Sequence, residues 1–203
     1  QKRDPAAPAP ATVVPELPKA VEPGRLAVPP FLKPRALQPA STGGARLWED
    51  YAPGETIDHP GAITVEEADH MLATRLYQNT ARVHFDAFSA ASGPFGKRLV
   101  YGGHVISLAR ALAHDGLENA FAIAAIHGGT HANPTFAGDT VVARSIVTAC
   151  DPVPGRDDVG ALRVRLLAAK NARLAALATP APGAKDPAVV LDLDLSCLVP
   201  RRG

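Results

Sequence analysis

The sequence predicts an α+β domain in which a curved antiparallel sheet wraps one long central helix. Two patterns carry this reading. Gly103 to His114 holds Val105, Ile106, Leu108, Ala109 and Leu112. A helix there is apolar on more than one face and belongs largely inside. Farther on, Leu162, Val164 and Leu166 alternate with Arg163 and Arg165, and Leu191, Leu193 and Leu195 alternate with Asp192, Asp194 and Ser196. A period of two is the mark of half-buried strands.

Taken in order, the chain opens with a segment poor in periodicity. Ten of its twenty prolines precede Arg46. Residues 1–45 are expected to form a Pro/Ala-rich linker or extended arm, with Asp4 to Pro39 as a polyproline-like tether. Residues 46–203 are long enough for one domain with its own core. The absence of Met at position 1 and the Gln1-Lys2-Arg3-Asp4 start suggest a piece of a longer protein. Leu47 to Tyr51 reads as a docking segment closed by a Pro53-Gly54 turn. A short strand at Thr56 to His59 and a turn at Pro60-Gly61 follow. Thr64-Val65-Glu66-Glu67 matches a capping box, opening a helix whose apolar stripe is Ala68, Met71, Leu72 and Leu76. Phe88 to Arg98 is irregular. After the buried helix come strands at Phe121 to His127, Thr140 to Cys150, Gly160 to Lys170 and Val189 to Val199, joined by short connections into an antiparallel meander.

Composition removes several function classes. The formal charge is +1, and Lys and Arg are scattered, so no nucleic-acid footprint is expected. No apolar run reaches about 18 residues, so no membrane span is expected. Cys150 and Cys197 form no C-x-x-C motif and are expected to be structural thiols in a reduced, cytoplasmic setting. His104, His127 and His131 invite a metal reading, but no carboxylate or cysteine stands at ligand spacing, so no metal is expected.

Chemistry concentrates in two stretches. Leu76-Tyr77-Gln78-Asn79-Thr80-Ala81-Arg82-Val83-His84-Phe85-Asp86 places an imidazole five residues after a carboxamide. An imidazole titrates near neutrality, as a general base for water must. Asp86, two residues on, is a candidate to orient His84 or to bond the local backbone. Tyr101-Gly102-Gly103-His104 opens the buried helix, and the glycines would bare backbone N–H groups to a thioester oxygen. Tyr101 and His104 flank that turn. Arg82, Arg98 and Arg110 are candidates to meet phosphate groups of a ligand.

The order of four elements resembles the MaoC-like hydratases of the hot-dog fold. These are Trp48-Glu49-Asp50-Tyr51 with Pro53-Gly54, then Asn79…His84-Phe85-Asp86, then Gly102-Gly103, then Asn133-Pro134-Thr135-Phe136-Ala137-Gly138-Asp139-Thr140. The match runs from about Arg46 to Arg201. Thr74 to Asp86, Val100 to Ser107 and His131-Ala132-Asn133-Pro134 are most similar to the branch acting on 2-methylfumaryl-CoA (mesaconyl-CoA). The resemblance implies reversible hydration of an enoyl-CoA to β-methylmalyl-CoA. It also implies no cofactor beyond the CoA thioester substrate, and pairing with a second hot-dog unit, from the same precursor or as a homo-oligomer. The chain would be the C-terminal of two such units. One residue departs from the family pattern. An Asp normally stands five residues before the His, and here it is Asn79, which cannot take a proton at neutral pH. The implied substrate carries a carboxylate that an Asp would repel, and Asn79 could donate a hydrogen bond to it or hold the attacking water. Two alternatives remain from the sequence. One is an (R)-specific enoyl-CoA hydratase or other hot-dog acyl-CoA enzyme, such as a thioesterase. The other is a non-catalytic hot-dog dimerisation half.

Overall fold

The computed structural model describes residue 16 and residues 18–177, 179–181, 184 and 186–202. The part of the expected tether before residue 16 lies outside the described residues. The rest of that arm is no free tether. Leu26 and Val28 pack on Val153, Val159, Ala161 and Leu198 of the sheet's outer face. Arg156 donates to the Leu32 carbonyl at 3.0 Å, and Arg35 pairs with Asp157 at 3.0 Å. Proline fixes φ and lowers the entropy lost when an extended chain is laid down. The same composition that denies the arm a helix therefore suits it to strap a sheet. A four-residue helix, α1 (Pro39–Thr42), ends the strap. There Asn119 donates to the Gly44 and Arg46 carbonyls.

Trp48–Asp50 forms one turn of 3-10 helix that docks as the sequence suggests. The Trp48 indole donates to the Ala161 carbonyl, and Tyr51 is buried with its hydroxyl on the Gly116 carbonyl. Strand β1 then runs Thr56–Thr64, longer than expected. Pro60-Gly61 is an irregularity in its pairing with the later strand, between His59 and Ala62, and no turn forms there. Because Thr64 still belongs to the strand, with its hydroxyl on that of Thr140, the anticipated capping box does not form. Helix α2 starts at Glu67 and ends at Leu76, and the Glu67 carboxylate pairs with Arg98. Its buried face is His70, Ala73 and Thr74. The expected stripe faces outward in part: Leu72 and Leu76 are exposed, as is Tyr77 beyond the helix. Helix α3 (Ala87–Ala91) falls in the stretch expected to be irregular.

The central helix α4 spans Gly102–Leu112. Strands β2 (Ala122–Thr130), β3 (Thr140–Pro152), β4 (Val159–Lys170) and β5 (Val189–Pro200) complete a five-stranded sheet in the order β1-β3-β4-β5-β2. All pairings are antiparallel. The expected meander holds for β3-β4-β5 only. Helix α4 lies between β1 and β2 in sequence and crosses the inner face of the sheet, so the chain emerges at the opposite edge. Val105, Ala109 and Leu112 pack on Leu162, Val164, Leu166, Leu193 and Leu195. Each fully buried leucine of this kind contributes roughly 1.5–3 kcal/mol. Among the described residues, no helix is long and apolar enough to cross a membrane.

Candidate active site

Asn79 owes its place to the way α2 ends. Gln78 adopts a left-handed φ of 53°. Its N–H reaches the Arg75 carbonyl, and that of Asn79 reaches the Thr74 carbonyl. This is the Schellman pattern, closed here without glycine at a cost of about 1–2 kcal/mol. The Asn79 side-chain oxygen then accepts from the Ala81 N–H at 2.9 Å, an Asx turn. Its carboxamide oxygen is thereby engaged, and the NH2 group is left as a donor.

The next turn, Arg82–His84, is clamped to the segment before α4. The Leu99 N–H donates to the Val83 carbonyl, and His84 Nδ1 lies 2.9 Å from the Leu99 carbonyl oxygen. A carbonyl only accepts, so Nδ1 carries the hydrogen and Nε2 is the basic nitrogen. Asp86 does not orient His84. Its carboxylate caps α3, accepting from the Ser89 N–H at 3.0 Å and the Ser89 hydroxyl at 2.6 Å. Those bonds hold it below the ordinary carboxylate range. A residue at the N-cap of a short helix is better placed to cap it than to reach back. The orienting role falls to a backbone carbonyl, which no side-chain pattern announces.

The head of α4 forms the facing part of the site. Helix geometry leaves the Gly102 and Gly103 N–H groups without an intrahelical acceptor. The Tyr101 carbonyl takes the His104 and Val105 N–H groups. Glycine is required at both positions by close approach. A Cβ on Gly103 would lie 2.6 Å from the Tyr101 ring, and one on Gly102 would lie 2.5 Å from His131 Nε2. The Tyr101 ring in turn meets the His84 ring edge-on, centroids 5.8 Å apart.

Asn79, His84, Tyr101, Gly102, Gly103 and His131 all line one open cleft of about 590 Å³, with Phe95, Ile106, Asn133 and Thr135. Among the described residues, its lining contains no Asp, Glu, Lys or Arg. His104 is not part of that lining. Its Nε2 is buried without a partner, beside His70, both of whose ring nitrogens lack one. The Glu67 carboxylate approaches His70 Nε2 to 3.4 Å without hydrogen-bond alignment. Burial pulls His70 below its ordinary value, reinforced by nearby His84, and burial with His70 does the same to His104. Sequence reasoning passed over His70, although 70, 73 and 74 share one helical face.

The other candidates scatter. His127 sits on the outer face between the Val21 N–H and the Ser196 hydroxyl. Arg98 is tied to Glu67 and the Phe85 carbonyl, and Arg110 points inward to the Ala120 carbonyl. Arg82 stays exposed. Among the described residues, no three His, Cys, Asp or Glu side chains converge on one point.

No protein-family model matches the chain. It is 54% identical over its full length to a β-methylmalyl-CoA dehydratase of Chloroflexus aurantiacus, covering 58% of that protein. It is 52% identical over 99% of its length to a mesaconyl-CoA hydratase of Cereibacter sphaeroides, covering 57%. The chain thus spans little more than half the length of these curated relatives. A solved structure of a MaoC domain protein dehydratase from Chloroflexus aurantiacus superposes on the whole chain with a TM-score of 0.93 at 54% identity, and the chain covers 58% of it. More distant is a MaoC-like dehydratase from Rhodospirillum rubrum, at TM-score 0.62 and 23% identity over 78% of this chain and 99% of that one. A double-hotdog protein of Mycobacterium tuberculosis has a TM-score of 0.60 at 19% identity, over 77% of this chain and 44% of that one. The latter two speak to the fold alone. The fold is the MaoC-like hot dog.

Proposed function

We propose that this chain is the catalytic hot-dog unit of a MaoC-like hydro-lyase that reversibly hydrates mesaconyl-CoA to β-methylmalyl-CoA. One observation carries the reading: a basic imidazole nitrogen and two unpartnered helix-head amides open onto the same carboxylate-free cleft. His84 Nε2 takes a proton from water as the oxygen attacks the β-carbon of the enoyl thioester. The thioester oxygen gains charge in that step. Amides aimed at it from Gly102 and Gly103 hold the enolate more tightly than the neutral carbonyl, which lowers the barrier. The same imidazolium returns its proton to the α-carbon. One base thus serves both steps, which accommodates Asn79 where a second acid would stand. The Asn79 NH2 positions the water.

The lack of a carboxylate in the cleft weighs against a thioesterase, which needs one near the thioester carbon. It also suits a substrate that brings its own negative charge, because a fixed carboxylate would repel it. The unit pairs with a second hot-dog unit. Exposed Leu72, Leu76 and Tyr77 beside the site, and Ile123 and Ile126 on edge strand β2, are apolar surfaces that a partner would cover.

The test is hydration of mesaconyl-CoA beside crotonyl-CoA by the intact protein, with mass analysis of products. Faster turnover of mesaconyl-CoA is expected. Release of free CoA would favour a thioesterase, and preference for crotonyl-CoA a general enoyl-CoA hydratase. No turnover at all would leave a non-catalytic half.

A further inference from the structure

We infer that the His131 imidazole, set against Gly102 at the head of α4, recognises the free carboxylate of a dicarboxylic acyl-CoA and selects it over a neutral acyl chain. This deepens the reading above and rests on it. Tyr101 and His104 flank the same turn and are the other candidates for that contact. The structure removes His104 from the cleft, its Nε2 buried beside His70. Tyr101 is packed between His84 and Gly103.

Among the described residues, two side chains that can become cationic line the cleft, His84 and His131. His84 is committed at Nδ1 to the Leu99 carbonyl, and in the proposed reaction its Nε2 serves the attacking water. The His131 ring has no hydrogen-bond partner among the described residues, although its neighbours are firmly held. The Ala132 N–H donates to the Val190 carbonyl, and the Asn133 side chain donates to the Asp186 and Val189 carbonyls. The backbone on its C-terminal side is thus pinned while the ring is left open to the cleft.

Position fits the substrate as well. Nε2 lies 2.5 Å from where a Cβ of Gly102 would be, so the ring rests on the backbone whose amides receive the thioester oxygen. A short diacyl chain with its thioester oxygen on those amides has its far carboxylate within a few bonds of that ring. Partial burial holds His131 below its ordinary value. An arriving carboxylate favours the protonated ring over the neutral one. A site built around such a contact discriminates against a ligand lacking the carboxylate, because the donor is then left unpaired.

The test separates recognition from turnover. Affinities of the unreactive saturated thioesters methylsuccinyl-CoA and butyryl-CoA are measured by calorimetry for the wild-type protein, His131→Leu and His131→Gln. Wild type is expected to prefer the diacid thioester by roughly ten- to a hundredfold, the worth of one charge-assisted hydrogen bond. His131→Leu should erase the preference while leaving butyryl-CoA binding within a few-fold. His131→Gln, which donates but carries no charge, should restore part of it. Equal weakening of both ligands by His131→Leu would overturn the assignment, because it would mark a residue that only supports the turn at Gly102. Absence of the preference in wild type would also overturn it. Since neither ligand reacts, failure of the hydration assay leaves this result standing, and the two conclusions fall separately.

Discussion

The two faces of the sheet treat polar groups in opposite ways. On the outer face the strand arginines are answered. Arg163 pairs with Asp194 and Arg165 with Asp192 across β4 and β5, and Arg144 pairs with Asp58 across β3 and β1. The flanking apolar residues are covered by the strap and by the segment around Leu177. At the head of α4, by contrast, the Gly102 and Gly103 amides, the His131 ring and the basic nitrogen of His84 have no acceptor or donor among the described residues. A polar group that serves the fold is satisfied by the fold. Groups left open in one place, each held rigidly by its neighbours, are equipped for a ligand.

The sharpest way to break this contrast is His84→Ala. It should lower turnover of mesaconyl-CoA by roughly a hundred- to ten-thousand-fold, as loss of a positioned base does. Thermal unfolding should stay close to wild type. A variant that unfolds early but retains turnover would place His84 with the structural residues. Gly103→Val comes next. Its side chain would displace the Tyr101 ring, and disturbing one oxyanion donor costs about a hundred- to a thousandfold in kcat. KM should move little.

On the outer face the sign reverses. Arg165→Ala should cost about 1–3 kcal/mol in urea unfolding, because Asp192 loses its partner, while kcat measured on the folded protein is unchanged. Replacing both Arg165 and Asp192 by leucine should recover most of that loss. A double variant as unstable as the single one would mean that the ladder does more than satisfy itself.

Acid should probe both regions. Burial holds His59, bridged between the Asp115 carbonyl and the Ser145 hydroxyl, below its ordinary 6.5, and His70 behaves alike. The unfolded chain takes these protons more readily. Stability is therefore intact above 6.5 and falls as pH drops through the lower folded-state values. The Arg144 hydrogen bonds hold Asp58 below 3.8, so its contribution is present above that value and disappears only beneath it. Denaturant midpoints should fall in two stages on acidification. A flat profile down to 4 would remove the buried histidines from the stability account. The smallest effect is expected from Asp86→Asn, which keeps an α3 cap and should leave turnover unchanged. A large loss of kcat would return Asp86 to the chemistry.

Much of the fold was legible because it rests on local periodicity. Alternation in residues 160–170 and 189–199 marked β4 and β5, and the apolar run after Gly103 marked α4. The cleft was legible at Asn79, His84, Gly102 and Gly103, where residue type and spacing carry the chemistry. Errors came where a partner that the local pattern does not reveal decided the outcome. Thr64 was claimed by Thr140 across the sheet before it could cap a helix. Leu72 and Leu76 lost the inward face of α2 to His70, Ala73 and Thr74. Asp86 was absorbed by Ser89.

By itself, then, the chain determined α4 and the later strands and which side chains could do acid–base work, since both follow from properties read over a few residues. Tertiary structure alone decided that β2 lies at the far edge, that the Leu99 carbonyl orients His84, and that His131 rather than His104 reaches the cleft. Those outcomes depend on which atoms meet across the sheet and around α4. Such meetings are settled by the packing of the whole core, which no window of sequence contains.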